Sequence, residues 1–218
     1  MNQLIFKFPF KTTYFKKDFF VSSNNFEAYK LIESWPQWPG KKINIFGPTG
    51  CGKTHLTNIL SKKIKLLSIE SKKFSEKVND VIEKYDCIVI ENYDANINEK
   101  LLYSTLNHIV QLDKSIIINS LKNIKKLNIE LLDLRSRLNS FVEMEINLPT
   151  DELLKVIILK TFSDKQVEIT DKNLKFIIKN IERSYEKISK FTKDIDNLSL
   201  STGKSININL IKKVLQNE

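Results

Sequence analysis

The chain has 218 residues, of which 41% are hydrophobic, so it is long enough to bury one α/β core with a small appendage. Lysine and arginine (35) outnumber the acidic residues (26), but the lysines occur mostly as dispersed pairs, and the net charge of +9 leaves direct DNA contact open. Two cysteines without a CxxC pair, and only two histidines, argue against a disulfide framework or a zinc site. No signal peptide or membrane-length apolar stretch is visible, and we expect a soluble, cytoplasmic protein.

The first 20 residues show no helical periodicity and contain seven aromatic side chains. We expect an extended arm over 1–20, whose aromatic side chains could simply cover the core. Ser23 or Asn24 is predicted to cap a helix that runs through Phe26 and Ile32 and ends before Pro36.

A glycine-rich segment after a predicted strand is the strongest signal in the sequence. Gly47–Thr54 matches the pattern G-x-x-x-x-G-K-[ST] at every position, between the apolar run Lys42–Phe46 and a predicted helix over 55–60. In such a loop, backbone N–H groups and the helix N-terminus attract phosphate oxygens, and the lysine reaches the outer phosphates. The segment therefore predicts a site for a nucleoside di- or triphosphate, formed by Gly47, Pro48, Thr49, Gly50, Cys51, Gly52, Lys53, Thr54 and His55.

Two oxygen-bearing side chains are candidates for holding Mg²⁺. The Thr54 hydroxyl completes the loop pattern and can ligate the ion. Glu91 follows the apolar strand Cys87–Ile90, where phosphate-loop nucleotide hydrolases need a carboxylate for the metal. Taken alone, Glu91 could be a surface acid, but its position downstream of a complete loop favours the metal site. Asn92 stands where many such enzymes place a second acid, and an amide cannot act as a general base.

Short apolar runs alternate with helical patterns from residue 41 onward, which predicts an α/β fold with a doubly wound parallel sheet of about five strands. The predicted strands are Lys42–Phe46, Ile64–Ile69, Asp86–Ile90, Ser115–Asn119 and Phe141–Ile146, and the clearest helix is Glu99–Leu112. Four later patterns predict a small C-terminal all-helical lid: Asp151–Phe162, Asp171–Ile181, Ser184–Leu200 and Asn207–Gln216. We expect an arm over 1–20, a nucleotide-binding domain over 21–149 and a lid over 150–218.

Three further polar residues lie beside the predicted strands. Asn119 ends an apolar strand and could contact a γ-phosphate as a sensor, although an ordinary strand end fits this segment equally well. Arg135 and Arg137 precede the last strand, and the planar guanidinium group suits phosphate recognition. In isolation, a surface salt bridge explains these two arginines better.

The order of these motifs resembles that of AAA+ ATPases, which are P-loop NTPases, and more closely that of the DnaA family of replication initiators. Asp18–Asn25 resembles the family's segment near the adenine, and Leu134–Leu138 resembles its arginine-finger box. The resemblance extends from Phe19 to Leu215. It implies an AAA+ fold, binding of ADP or ATP with Mg²⁺, and an exposed arginine finger at Arg137 that acts in trans on a partner's nucleotide.

Two features narrow the resemblance to a short regulatory branch of the family, the Hda proteins of proteobacteria. The chain ends after the lid, so we expect it to lack the initiator's C-terminal DNA-binding domain. Its N-terminal peptide resembles the segment by which that branch binds the sliding clamp of DNA polymerase. The candidate contacts are Gln3, Leu4, Phe6 and Phe8.

This resemblance implies a negative regulator of replication initiation. Together with the sliding clamp, the protein would promote hydrolysis of ATP bound to DnaA and so restrain re-initiation. Contact with DNA would then be indirect, through these partners, and self-association stays open.

Two positions depart from the family pattern. Glu186 aligns with the usual sensor arginine of the lid, and Arg183, about one helical turn earlier, is the candidate substitute. Asn92 replaces the second acid. Both departures count against rapid ATP hydrolysis by the protein itself, so its being an enzyme stays open. The alternatives are a DnaA-like adaptor or helicase-loading accessory, and a self-sufficient ATPase or small-molecule kinase, for which no substrate domain is visible.

Overall fold

A five-stranded parallel sheet forms the centre of the first of two compact units. In the computed structural model, which describes residues 21, 23–164, 167–183, 185–203 and 206–216, this unit ends at Asn147. The predicted α/β fold with five parallel strands is confirmed. In spatial order the strands are β2 Leu66–Glu70, β3 Cys87–Tyr93, β4 Ser115–Ser120, β1 Lys42–Phe46 and β5 Val142–Glu145.

Strand β3 continues three residues past its predicted end at Ile90. Its pairing with β4 shifts register between Ile90 and Tyr93, and Asn92 there has a left-handed backbone with φ of 55°. Such a bulge lets a strand continue while it changes the direction of its side chains. The sequence pattern missed this extension because the polar residues Glu91 and Asn92 interrupt the apolar run.

Among the described residues of the sheet unit there are four α-helices: α1 Phe26–Glu33, α2 Lys53–Leu60, α3 Glu99–Gln111 and α4 Leu132–Asn139. The predicted cap of the first helix is wrong, because Asn25, and neither Ser23 nor Asn24, occupies the N-cap position. The Asn24 side chain instead donates to Asn147 O (3.1 Å), and Asn147 N donates to Asn24 O (3.1 Å). This pair ties the start of α1 to the segment that follows β5.

The sheet packs against α3 and α4 through one continuous apolar cluster, which includes Ile88, Ile118, Leu102 and Leu134. These side chains are fully buried. Because parallel strands are buried on both faces, their sequences are nearly continuous apolar runs, and the strands were therefore visible in the sequence.

A buried amide fixes the turn that follows β4. Asn44 Nδ2 donates to Ile118 O and to Ser120 Oγ, both at 2.9 Å, and Asn44 Oδ1 accepts from Ile124 N at 3.1 Å. A buried polar group whose hydrogen bonds are all made stiffens the backbone around it. Asn44 therefore holds in place the end of β4, which carries Asn119.

The second unit begins at Leu148 and is entirely helical over its described residues. Its helices are α5 Asp151–Asp164, α6 Asp171–Asn180, α7 Tyr185–Thr202 and α8 Ile208–Gln216. They enclose their own apolar core, which includes Leu154, Phe162, Ile177 and Phe191. Thr170 caps α6 by accepting a hydrogen bond from Asn173 N at 3.3 Å.

None of the described helices is long and apolar enough to cross a lipid bilayer. The predicted arm over 1–20, and with it Gln3, Leu4, Phe6 and Phe8, lies outside the described residues.

Candidate functional site

The glycine-rich loop joins the carboxyl end of β1 to α2, at the edge where open parallel sheets bind ligands. Gly50 and Gly52 have left-handed backbones, with φ of 75° and 103°, and Gly52 is the N-cap of α2. Gly47 has φ of 154°, and its N–H donates to Ser120 O at 3.2 Å. A Cβ atom at Gly47 would lie 2.3 Å from Ile146 O. Only glycine fits this close approach of the loop to the chain after β5.

A cavity of about 340 Å³ opens at this loop. Leu121, a leucine just after β4 that is 54% exposed, lines this cavity and was not among the residues predicted for the site. Gly47 and Pro48 do not line the cavity, but they hold the lysine that does. The lining residues are Thr49, Gly50, Cys51, Gly52, Lys53, Thr54, His55, Asn92 and Leu121.

The loop's own carbonyl groups hold the ammonium group of Lys53. Lys53 Nζ donates to Gly47 O (2.7 Å) and Pro48 O (3.0 Å) and lies 3.6 Å from Cys51 Sγ. A phosphate oxygen that binds in the loop can replace these neutral acceptors, because hydrogen bonds between charged groups are stronger. Burial raises the pKa of the Cys51 thiol, against the opposing charge of Lys53, so Cys51 is a packing residue here.

Glu91 lies at the centre of the polar groups beside the loop. Its carboxylate is 4% exposed and joins three elements. Oε2 accepts from Thr54 Oγ1 in α2 and from Asn119 Nδ2 in β4, both at 3.0 Å. Oε1 accepts from Thr57 Oγ1 in α2 at 3.2 Å. The structure thus brings together three residues predicted from the sequence and adds Thr57, which lies one helical turn after Thr54.

This arrangement fits a magnesium ion that also binds phosphate. Mg²⁺ prefers oxygen ligands, and beside a nucleotide it needs only one or two protein groups. Thr54 and Glu91 supply a hydroxyl and a carboxylate 3.0 Å apart. Asn119 Oδ1 is buried and makes no hydrogen bond with any described residue, so it can accept one from a ligand or its water. The described residues contain no group of three or more His, Cys, Asp or Glu side chains suited to a metal.

Asn92 reaches the cavity, but its side chain contacts the neighbouring strand. Asn92 Nδ2 donates to Glu70 Oε2 at 3.0 Å, and Asn92 O accepts from Ser71 Oγ at 2.8 Å. The register pairs Glu70 with Glu91 across β2 and β3. Position 92 therefore contributes an amide that is hydrogen-bonded to the Glu70 carboxylate. An amide cannot act as a general base at the cavity.

Arg137 lies near the opposite, amino-terminal edge of the sheet. Burial, and after it the positive charge of Arg137, lower the pKa of Lys42, which begins β1. Lys42 Nζ in turn donates to Ser140 Oγ at 2.6 Å. The loop starts beyond Phe46, and the five residues of β1 span about 16 Å at the usual rise per residue. Arg137 is thus separated from the loop of its own chain by the length of a strand.

The two arginines of α4 differ in what they contact. Arg135 donates from its guanidinium group to Ile129 O, including Nε at 3.1 Å. Arg137 is half-buried, whereas we expected it to be exposed. Within the described part of the chain, no residue forms a hydrogen bond or ion pair with the Arg137 guanidinium group. Arg137 is therefore the better placed of the two to contact another molecule.

In the helical unit, Arg183 is engaged within its own unit. Its guanidinium Nη2 lies 2.7 Å from Asp151 Oδ1, and both side chains are 54% exposed. This ion pair must open, or share Arg183, before the arginine can contact a nucleotide. The role of Arg183 as a lid sensor stays a prediction.

In sequence, the chain is similar to the replication initiator DnaA of several bacteria. No protein-family model matches the chain. It is 25% identical over 244 residues to the chromosomal replication initiator protein DnaA of Buchnera aphidicola subsp. Baizongia pistaciae, covering 99% of this chain and 53% of that protein. It is also 25% identical over 185 residues to an uncharacterized protein of Haemophilus influenzae, covering 78% of this chain and 80% of that protein. The chain spans about half the length of the DnaA relatives it matches.

Comparisons with solved structures define the class of fold. Domain III of DnaA from Thermotoga maritima matches with a TM-score of 0.79 at 21% identity, covering 96% of this chain and 98% of that one. AMPPCP-bound DnaA from Aquifex aeolicus matches with a TM-score of 0.73 at 17% identity, covering 94% and 70%. The fold is therefore the AAA+ fold that domain III of DnaA has. Together with the sequence similarity to DnaA, it supports homology with DnaA domain III.

Substituting Gly47 tests the fit between the loop and the chain after β5. We expect Gly47→Ala to lower the free energy of unfolding by at least about 1–3 kcal/mol, because the new Cβ collides with Ile146 O and the positive φ disfavours alanine. Gly40→Ala is the matched control, since its Cβ would make an ordinary 3.5 Å contact with Val142 Cγ2. Urea denaturation measures both variants. Equal stability of the two would contradict this account of Gly47.

Proposed function

We propose that this protein binds an adenine nucleotide, ADP or ATP, together with Mg²⁺. The observation that supports this most directly is the complete phosphate loop with its cavity at the carboxyl edge of an AAA+ sheet. Lys53 and the backbone N–H groups of the loop would bind the phosphates, and Thr54 and Glu91 would hold the metal. The metal would neutralise phosphate charge. The structural neighbour DnaA from Aquifex aeolicus, which is AMPPCP-bound, supports the choice of adenine.

Hydrolysis by the protein itself should be slow. An efficient phosphate-loop hydrolase needs a group that orients or deprotonates the attacking water. Asn92 is an amide, and its side-chain N–H group is engaged with Glu70. The site is therefore better suited to binding a nucleotide than to hydrolysing it. This counts against the alternative hypothesis of a self-sufficient ATPase.

We further propose that the protein acts as an Hda-type regulator, which with the sliding clamp promotes hydrolysis of ATP bound to DnaA. The single observation that carries this proposal is the position of Arg137, half-buried, unpaired among the described residues and a strand's length from its own loop. An arginine supplied by a neighbouring molecule can stabilise the charge that develops during phosphoryl transfer. Similarity to DnaA supports that partner, because homologous AAA+ modules can associate head to tail.

The sliding clamp is proposed from the N-terminal peptide alone. An extended segment can place alternate apolar side chains in a groove, and a glutamine can set the register by hydrogen bonds. In this chain, Gln3, Leu4, Phe6 and Phe8 have that spacing. Contact with DNA would follow from the clamp and DnaA, and the localisation that suits these partners is the cytoplasm.

Lys53→Ala tests nucleotide binding. We expect at least about a 100-fold loss of ATP affinity, because the variant removes the side-chain cation of the loop and its charge-assisted hydrogen bonds. Lys72→Ala, which removes an equal charge from an exposed site away from the cavity, should bind like the parent. Isothermal titration calorimetry measures both. Unchanged affinity in Lys53→Ala would refute the nucleotide site.

Arg137→Ala tests the proposed action on DnaA. Finger arginines raise turnover by about 10³–10⁵ in well-studied GTPases, and we expect this variant to lose nearly all stimulation of ATP hydrolysis by DnaA while it keeps nucleotide binding. Arg137→Lys should also fail, because lysine lacks the planar fork. Arg135→Ala is the control, since Arg135 bonds its own backbone.

The assay measures phosphate release by DnaA with DNA-loaded clamp, with and without each variant. Full stimulation by Arg137→Ala would overturn the finger in trans. Recruitment of DnaA without stimulation by the parent protein would favour the adaptor or helicase-loading function.

A variant with Gln3, Leu4 and Phe6 all replaced by alanine tests the clamp contact. We expect its binding to immobilised clamp to fall to background, while nucleotide binding is unchanged. A variant with alanine at Phe10 and Phe15 controls for the general loss of aromatic side chains from the arm. Equal clamp binding by the triple variant and the parent would rule out this peptide.

A further inference from the structure

Thr57 has an unusual place for a helical threonine. Its side chain is 2% exposed, and its hydroxyl oxygen lies 3.2 Å from Glu91 Oε1 and 3.0 Å from Thr54 O. The second contact is the common bond of a helical hydroxyl to the preceding turn. The first contact joins residues 34 positions apart in the sequence. A hydroxyl has one hydrogen, and a carboxylate is the stronger acceptor, so the hydrogen is directed to Glu91.

The two oxygens of Glu91 are held differently. Oε2 has two donors, Thr54 Oγ1 and Asn119 Nδ2, whereas Oε1 has Thr57 Oγ1 as its side-chain donor among the described residues. The terminal torsion of glutamate is broad, so torsional preference alone does not fix the plane of the carboxylate. A hydrogen bond at each oxygen does fix it. Without Thr57, one edge of this buried carboxylate loses its side-chain donor.

We infer that Thr57 is a positioning residue, which fixes the orientation of the Glu91 carboxylate for the magnesium ion of the nucleotide site. This inference rests on the proposed nucleotide binding. Thr57 does not line the cavity, so it acts through Glu91 and not by contact with the nucleotide. Hydrogen-bond partners that orient a metal ligand commonly change metal affinity by about 10–100-fold when they are removed. Thr57 is thus a third residue of the magnesium site, beside Thr54 and Glu91, which were predicted to hold the ion.

The test compares ATP affinity with saturating Mg²⁺ and with EDTA, and uses the ratio of the two as the readout. We expect Thr57→Val, which keeps the side-chain volume and removes the hydroxyl, to lower this ratio by about 10–100-fold. Its affinity in EDTA should equal the parent's. Thr57→Ser, which keeps the hydroxyl, should restore most of the ratio. Thr57→Ala is a second variant without the hydroxyl, in case valine disturbs folding.

Thr105→Val is the matched control. Thr105 is also a buried helical threonine, fully buried in α3, but its Oγ1 makes no hydrogen bond within the described part of the structure. This variant should keep the parent's ratio. An unchanged ratio in Thr57→Val would overturn the inference, and so would an equal loss of affinity with Mg²⁺ and with EDTA, which indicates a structural role. A parent that binds ATP without any effect of Mg²⁺ would overturn the metal site itself, and a parent that binds no ATP would overturn the proposed function.

Discussion

The candidate site depends on one buried carboxylate. Glu91 receives hydrogen bonds from α2 and β4 while it belongs to β3, so a single side chain links the helix after the loop to two central strands. A carboxylate that is 4% exposed is costly to bury unless donors surround it. The polar residues around Glu91 are therefore a stability requirement as well as a feature of the site. The hydroxyl groups of Thr54 and Thr57 and the amide of Asn119 are tolerated beside an otherwise apolar sheet because they donate to this carboxylate.

The bulge in β3 makes that arrangement possible and also limits the chemistry. The register shift lets Glu91 face α2 and β4 while Asn92, with its positive φ, lies beside the cavity and bonds to Glu70. Ser71, just after β2, donates to Asn92 O and so supports the same backbone conformation. The bulge therefore determines how the side chain at position 92 is oriented beside the cavity. An acid at this position would stand close to Glu70, and the repulsion between two carboxylates would oppose its ionised form.

Local patterns in the sequence were sufficient to place the five strands, most of the helices and the loop, because each rests on contacts between near neighbours or on continuous burial. Helix α4 and the last three residues of β3 were not predicted. Features set by distant contacts were missed. Thr57 looks like any helical threonine until Glu91 lies beside it, and the cap of α1 moves to Asn25 because Asn24 pairs with Asn147. Residue type alone could not separate Arg135 from Arg137, and only the resemblance to the DnaA family pointed to Arg137. The structural difference between them is the bond that Arg135 makes to the carbonyl of Ile129.

The polarity of the sheet gives the proposed regulation its geometry. In a parallel sheet all carboxyl ends lie at one edge, so the phosphate loop is confined to that edge and the residues beside the strand starts are confined to the other. Arg137, near the start of β1, belongs to the second edge. No side-chain rotation spans the length of β1, so an Arg137 that engages phosphate must engage it in another molecule. With this arrangement, the protein would hold a nucleotide in its own loop and, as we propose, supply Arg137 to a nucleotide bound by a neighbouring molecule.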